Sequence, residues 1–264
     1  MTRSPTVAHE RPILFSAAMV RAILDGRKTQ TRRVLKPQPV TSPGRLTGPW
    51  QDSDGRWGMM ATEWRYSERL GNYEPERETF LPFKVAAVGD CLWVRETWSG
   101  PYRMGDIPPR DWQPGLPIWY WADGNPDDGD WCRPRPAIHM PRWASRITLE
   151  VTDVRVQRLQ DISEEDALAE GATSRPNCSG FRDAYPGWSM DWSQVGRPSR
   201  FARDGKCLSE SDVSLGSAVS AFAGFVNELR DPKWNLKGDG IFGANPWVVA
   251  ITFRRIDQAG GGHG

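Results

Sequence analysis

The chain has 264 residues, long enough for one domain with large insertions or for two small ones, and either can bury a real core. Its 34 Lys and Arg nearly balance 33 Asp and Glu, which excludes a globally basic nucleic-acid binder and requires any such surface to be a local patch. No apolar run approaches a membrane span and no signal-like segment is seen, so the expectation is a soluble cytoplasmic protein with no membrane partner.

In chain order, Pro12–Phe15 reads as a short strand. Phe15–Leu24 then reads as a helix, with Ser16 as N-cap, Met19/Val20 and Ile23/Leu24 as its apolar stripe, and Gly26 in the left-handed position that ends it. The next residues, Arg27-Lys28-Thr29-Gln30-Thr31-Arg32-Arg33, make a cationic strand. A basic run after a helix is ordinarily a solvated face; a stiffly held one at a surface also suits a site. Residues 40–80 are rich in Gly, Pro, Ser and Glu, and are expected to be an inserted loop or hairpin anchored by Trp50, Trp57, Trp64 and Tyr66. Leu92-Trp93-Val94 follows a Gly-Asp turn as a core strand, with Arg95 and Glu96 at its end.

Ile118–Trp121 is expected to be a strand with Trp119 and Trp121 on one face, and Asp123-Gly124 a hairpin turn. The acidic residues 123–130 lack the Gly and terminal Glu of a calcium loop and are read as a turn. Arg146–Val151 alternates as a half-buried strand, and the apolar phase slips from Ile147/Leu149/Val151 to Val154/Val156, which demands a bulge or a bend near Thr152-Asp153. Ser163 caps a helix with an acidic first turn that Gly171 ends. Residues 172–212, in the insertion at about 172–215, lack periodicity. They are expected to be a partly ordered insertion, possible lid or plain surface loop, whose aromatics include Phe181, Tyr185, Trp188, Trp192 and Phe201. The spacing of Ala218, Phe222, Phe225, Val226 and Leu229 marks a third helix. Trp247–Phe253 reads as a buried strand that closes the sheet. The cysteines Cys91, Cys132, Cys178 and Cys207 are scattered, without zinc spacing, and are read as reduced thiols; no metal is expected.

Gly26-Arg27-Lys28-Thr29-Gln30-Thr31-Arg32-Arg33 resembles the signature of the ASCH domain family, small β-barrels related to the PUA RNA-binding fold. Gly89–Val94, Ile147–Gly171 and Asn245–Ile256 fit the same family in the same order, with long insertions between. The resemblance implies an α+β fold: a PUA-like, mostly antiparallel β-barrel with two or three helices, forming one domain with insertions at about 40–80, 98–140 and 172–215. One branch of that family removes the acetyl group from N4-acetylcytidine with a Lys, a Thr three residues later, and a Glu at the end of the helix after the long strand. Those positions fall on Lys28, Thr31 and Glu170, which the resemblance makes an amidohydrolase set, with no cofactor. It also implies a nucleoside, nucleotide or single-stranded nucleic acid as partner; proteins of this signature often occur as phage or prophage accessory proteins.

The chemistry of these residue types is coherent. A Thr hydroxyl is a weak nucleophile until a base takes its proton, and burial can lower a Lys pKa enough for that role. A carboxyl group can then protonate the departing amine. The three side chains are therefore expected around one cavity, although residues three apart on a regular strand face opposite ways. Glu170 in a last helical turn is also an ordinary surface placement, opposed to the dipole. A second set, Arg32, Arg33, Arg142, Trp143, Arg146 and Glu96, is assigned to ligand binding, with Arg and Trp supplying charge and stacking faces. The alternative is that these Arg pair with loop carboxylates, leaving a non-catalytic module or a structural surface. His139 has no partner at ligand spacing and is read as a loop or core residue.

Overall fold

The structure, a computed structural model, describes residues 9–39, 46–127, 129–175, 186–195, 209, 213–228 and 240–256. Glu10–Leu14 (β1) leads into Ala17–Leu24 (α1) and Gln30–Val34 (β2). Leu46–Gln51 (β3), Trp57–Ser67 (β4) and Asn72–Pro82 (β5) follow, then Cys91–Arg95 (β6), Trp98–Ser99 (β7), Trp119–Tyr120 (β8) and Thr148–Arg158 (β9). Glu164–Ala169 (α2), Thr173–Arg175 (β10), Gly187–Ser189 (β11), Ala218–Glu228 (α3), Gly240–Ala244 (α4) and Trp247–Ile256 (β12) complete the described elements. No helix among the described residues is long and apolar enough to cross a membrane.

The fold is mixed α+β. Its main sheet has five strands in the order β1-β6-β9-β12-β2, antiparallel except for the β1–β6 pair. The expected closed barrel is absent among the described residues, because β1 and β2 are the two edges and no ladder joins them. Instead of a ladder, the Arg33 guanidinium donates to the Leu14 carbonyl at 2.6 Å. β12 is accordingly an inner strand beside edge β2, not the closing one. Four α-helices are described, against the two or three expected.

The phase slip in β9 has a direct structural counterpart. Thr252 pairs with Asp153 and Phe253 with Val151, so Thr152 is the extra residue of a bulge. That single insertion lets Leu149 and Val151 on one side of it, and Val156 beyond it, enter the same core with Ile13, Val94, Val249 and Ile251. The other face of β12 presents Val248 to Leu159, Ala167 and Phe222, burying the apolar stripe of α3.

The insertions are more regular than their composition suggests. Residues 46–82 form an antiparallel three-stranded sheet in the order β3-β4-β5. The 98–140 region carries its own small core around Trp98, Trp112 and Met140, with the two indoles edge-on at 5.2 Å. There the expected strand shortens to Trp119–Tyr120, and Trp121–Asp123 is a 3-10 turn. The two indole N–H groups go to different partners, Trp119 to the Gly124 carbonyl and Trp121 to the Ser99 hydroxyl. Within 172–215, β10 and β11 pair antiparallel. Trp192–Gln194 is a 3-10 turn whose Trp192 indole donates to the Thr173 carbonyl at 3.1 Å, whereas Phe181, Tyr185 and Phe201 lie outside the described residues, as do Asp128, Cys178, Cys207 and Leu229.

Candidate functional site

Lys28 stands between the end of α1 and the start of β2. The helix ends at Gly26 with φ 73°, and the amides of both Arg27 and Lys28 donate to the Ala22 carbonyl at 2.9 Å. This turns the chain onto the C-terminus of α2. Thr29 N–H donates to Ala169 O at 2.8 Å, Arg27 to Gly171 O at 3.2 Å, and Lys28 Nζ to Glu170 O at 2.9 Å. Carbonyls left over at a helix end thus meet an N–H and two cations, which suits the negative end of the helix dipole. Gly171, at φ 109°, makes the approach possible: a Cβ there would stand 3.3 Å from Ala22 Cβ and 3.5 Å from Lys28 Cβ.

The Lys28 side chain has no exposure, and its Nζ reaches three acceptors: Gln30 O at 2.7 Å, Glu170 O at 2.9 Å and Glu170 Oε2 at 2.7 Å. Arg32 joins from the next strand position on the same face as Gln30. Its guanidinium donates to Glu170 Oε1 at 3.2 Å, to Asp166 Oδ2 at 2.6 Å and to the Gln30 side-chain oxygen, and it packs over the Phe222 ring. Arg155 closes the other side of Asp166 at 2.9 Å. Asp166 and Glu170 are four apart on α2, so both carboxylates face β2.

Burial pushes Lys28 below the ordinary lysine range, with Glu170 pulling the other way. Burial alone would raise Asp166; Arg155 and Arg32 beside it outweigh that and hold it below the usual carboxylate value. Arg33 is lowered by burial, with Glu170 opposing.

Thr31 is buried on the opposite face of β2, paired in register with Ile251. It is not among the partners of Lys28 Nζ, whose hydrogen bonds go to Gln30 and Glu170. The structure therefore brings Lys28 and Glu170 together, while Thr31 makes no hydrogen bond to Lys28 Nζ and lies on the β2 face opposite Gln30 and Arg32. Arg32 is 1% exposed and committed to carboxylates, while Arg33 points to the other side, stacked on Phe15 and bonded to Leu14 O.

The remaining expected binding residues gather elsewhere. Arg142 pairs with Glu10 through two bonds of 3.0 and 3.1 Å. Arg146 holds both Glu96 and Asp123, two bonds to each, and stacks on Tyr120 at 4.1 Å. Burial raises Glu96 in spite of Arg146, and raises Tyr120 to about 12. Trp143 is half-buried against the Trp98 core. Among the described residues no hydrogen bond or ion pair joins this group to the Lys28 cluster. Nor do three His, Cys, Asp or Glu side chains gather as metal ligands would.

Gln30, Asp166 and Arg155 belong to the Lys28 cluster and were not singled out from sequence. The signal was present: Gln30 and Arg32 share a strand face, and Asp166 and Glu170 share a helix face. Compared with known proteins, the chain matches no family model, no curated protein and no solved structure.

Proposed function

We propose that this chain recognises a nucleobase or nucleotide in the manner of an ASCH, PUA-like domain, and that Lys28, Thr31 and Glu170 hydrolyse the amide of an N-acylated pyrimidine such as N4-acetylcytidine. The observation that carries this reading is Lys28 itself: a lysine with no side-chain exposure, 2.7 Å from a carboxylate and three residues from a buried threonine. In so dry a site, moving the proton from Lys28 to Glu170 yields a neutral amine beside a neutral acid, a base and an acid at once.

The step then balances. The Thr31 hydroxyl oxygen bonds to the acyl carbon while Lys28 takes its proton. The C–N bond breaks as Glu170 protonates the leaving amine. Water hydrolyses the resulting ester, frees the carboxylic acid and restores Thr31. Lys28 must release the Gln30 carbonyl to turn towards Thr31, so substrate entry includes a local rearrangement of the start of β2.

A second reading has its own support. All three Lys28 donors are occupied and Arg32 bonds both Glu170 and Asp166, as in a clamp that locks β2 to α2. On that reading the protein is a non-catalytic nucleic-acid or nucleotide-binding module. Mass spectrometry of acylated nucleosides incubated with the protein decides between them. Hydrolysis predicts loss of the acyl mass, abolished in Lys28→Ala and in Thr31→Ala. The double variant should be no worse than either single one, since residues acting as a unit are non-additive. No acyl loss from any acylated pyrimidine by folded wild-type protein refutes the hydrolase.

A further inference from the structure

The gap between the two sheet edges is a cleft of about 470 Å³, within the range of small-molecule sites. Its walls come from β1, from the end of β2 and from the segment after β5. Four cations line it, Arg11, Arg33, Lys36 and Lys84, and no Asp or Glu is among its described lining residues. The base is apolar: Ile13, Phe83, Val249 and Ile251 are all buried there. Three of the cations are exposed and Arg33 is half-buried, so charge stands over an apolar base.

The charges are only partly neutralised. Arg11 meets Asp90 through Nε at 3.2 Å. Lys84 has no ion-pair or hydrogen-bond partner among the described residues. Arg33 has a single hydrogen bond there, to Leu14 O, from a group with five N–H donors. Its guanidinium also lies over the Phe15 ring, 5.4 Å from the centroid. A cleft of one charge sign over a greasy base is complementary to a ligand with an anionic head and an apolar body. The several donors favour a phosphate, which accepts more hydrogen bonds than a carboxylate.

We propose that this cleft binds a small organic phosphate monoester, its phosphate held by Arg33 and Lys84 and its body against Phe83 and Ile251. None of the Lys28-cluster residues, Lys28, Gln30, Arg32, Arg155, Asp166 and Glu170, lines this cleft. It lies between the sheet edges β1 and β2, which no ladder joins and which the Arg33 side chain spans.

Isothermal titration with cytidine 5′-monophosphate, hexyl phosphate, cytidine and inorganic phosphate tests this. At least one ester should bind saturably, and inorganic phosphate and cytidine at least tenfold more weakly. Binding of both esters identifies head and apolar bulk as sufficient; binding of the nucleotide alone identifies a nucleotide source. Lys84→Glu should weaken the bound ester at least tenfold, about 1.4 kcal/mol, with an unchanged thermal midpoint. Absence of saturable ester binding, equal binding of inorganic phosphate, or unchanged affinity in Lys84→Glu overturns the proposal. The readout is binding and not turnover, so a failed acyl-hydrolysis screen leaves it standing.

Discussion

Replacing Glu170 by Gln isolates what the buried pair contributes. Lys28 keeps its bonds to the two backbone carbonyls, but loses the carboxylate at 2.7 Å, in a site where neither side chain is more than 2% exposed. Arg32 simultaneously loses its 3.2 Å contact with the same carboxylate. Two cations then share a dry pocket with only Asp166 to offset them. Breaking a buried pair by removing one partner costs roughly 3–5 kcal/mol, and the retained carbonyl bonds place this case near ~3 kcal/mol. For a chain of this size that corresponds to a fall in midpoint of about 6–12 °C. Lys28→Met should cost a similar amount, through two carbonyls left without their donor. The double variant Lys28→Met/Glu170→Gln should cost clearly less than the sum, with a coupling of about 2 kcal/mol. Urea unfolding followed by tryptophan fluorescence and far-UV circular dichroism, with coincident transitions, measures all three. Single variants within ~0.5 kcal/mol of wild type, or strictly additive losses, would show that the Lys28–Glu170 contact contributes little, and the clamp argument fails with it.

Two further outcomes follow from the same cluster. Asp166 is held below its ordinary value, so the stability it contributes is present above its unfolded pKa near ~3.9 and is lost as pH falls from there through the folded value. Asp166→Asn should therefore flatten the acid limb of a plot of stability against pH over that window while leaving its neutral-to-alkaline shape alone; an unaltered acid limb would contradict the assignment. Gly171→Ala should destabilise the protein by ~1–3 kcal/mol, because φ 109° strains any L side chain and the added methyl would stand 3.3 Å from Ala22 Cβ. A thermal midpoint equal to wild type would mean that the α2 terminus shifts freely, contrary to the close packing described.

What the sequence determined on its own is local. The apolar stripe before Gly26 marks α1, Ser163 marks the start of α2 through its bond to the Asp166 amide, and the slipped phase of β9 marks the bulge at Thr152. Each follows from periodicity or capping within one segment, and needs no knowledge of the rest of the chain. Pairings across long separations were decided only by the tertiary structure. Arg32 meets Glu170 across 138 residues and Asp166 across 134, and no local rule fixes which face of β2 turns to α2. Thr31 is the sharpest case: its residue type and spacing suggest a partner for Lys28, yet strand alternation sends it to the opposite face from Gln30 and Arg32. The open edges are likewise a tertiary outcome, since the strands are visible in the sequence while their order is not. Whether β1 and β2 pair depends on twist, on the α1 connection and on the Arg33 contact with Leu14, and these exist only once the sheet has formed.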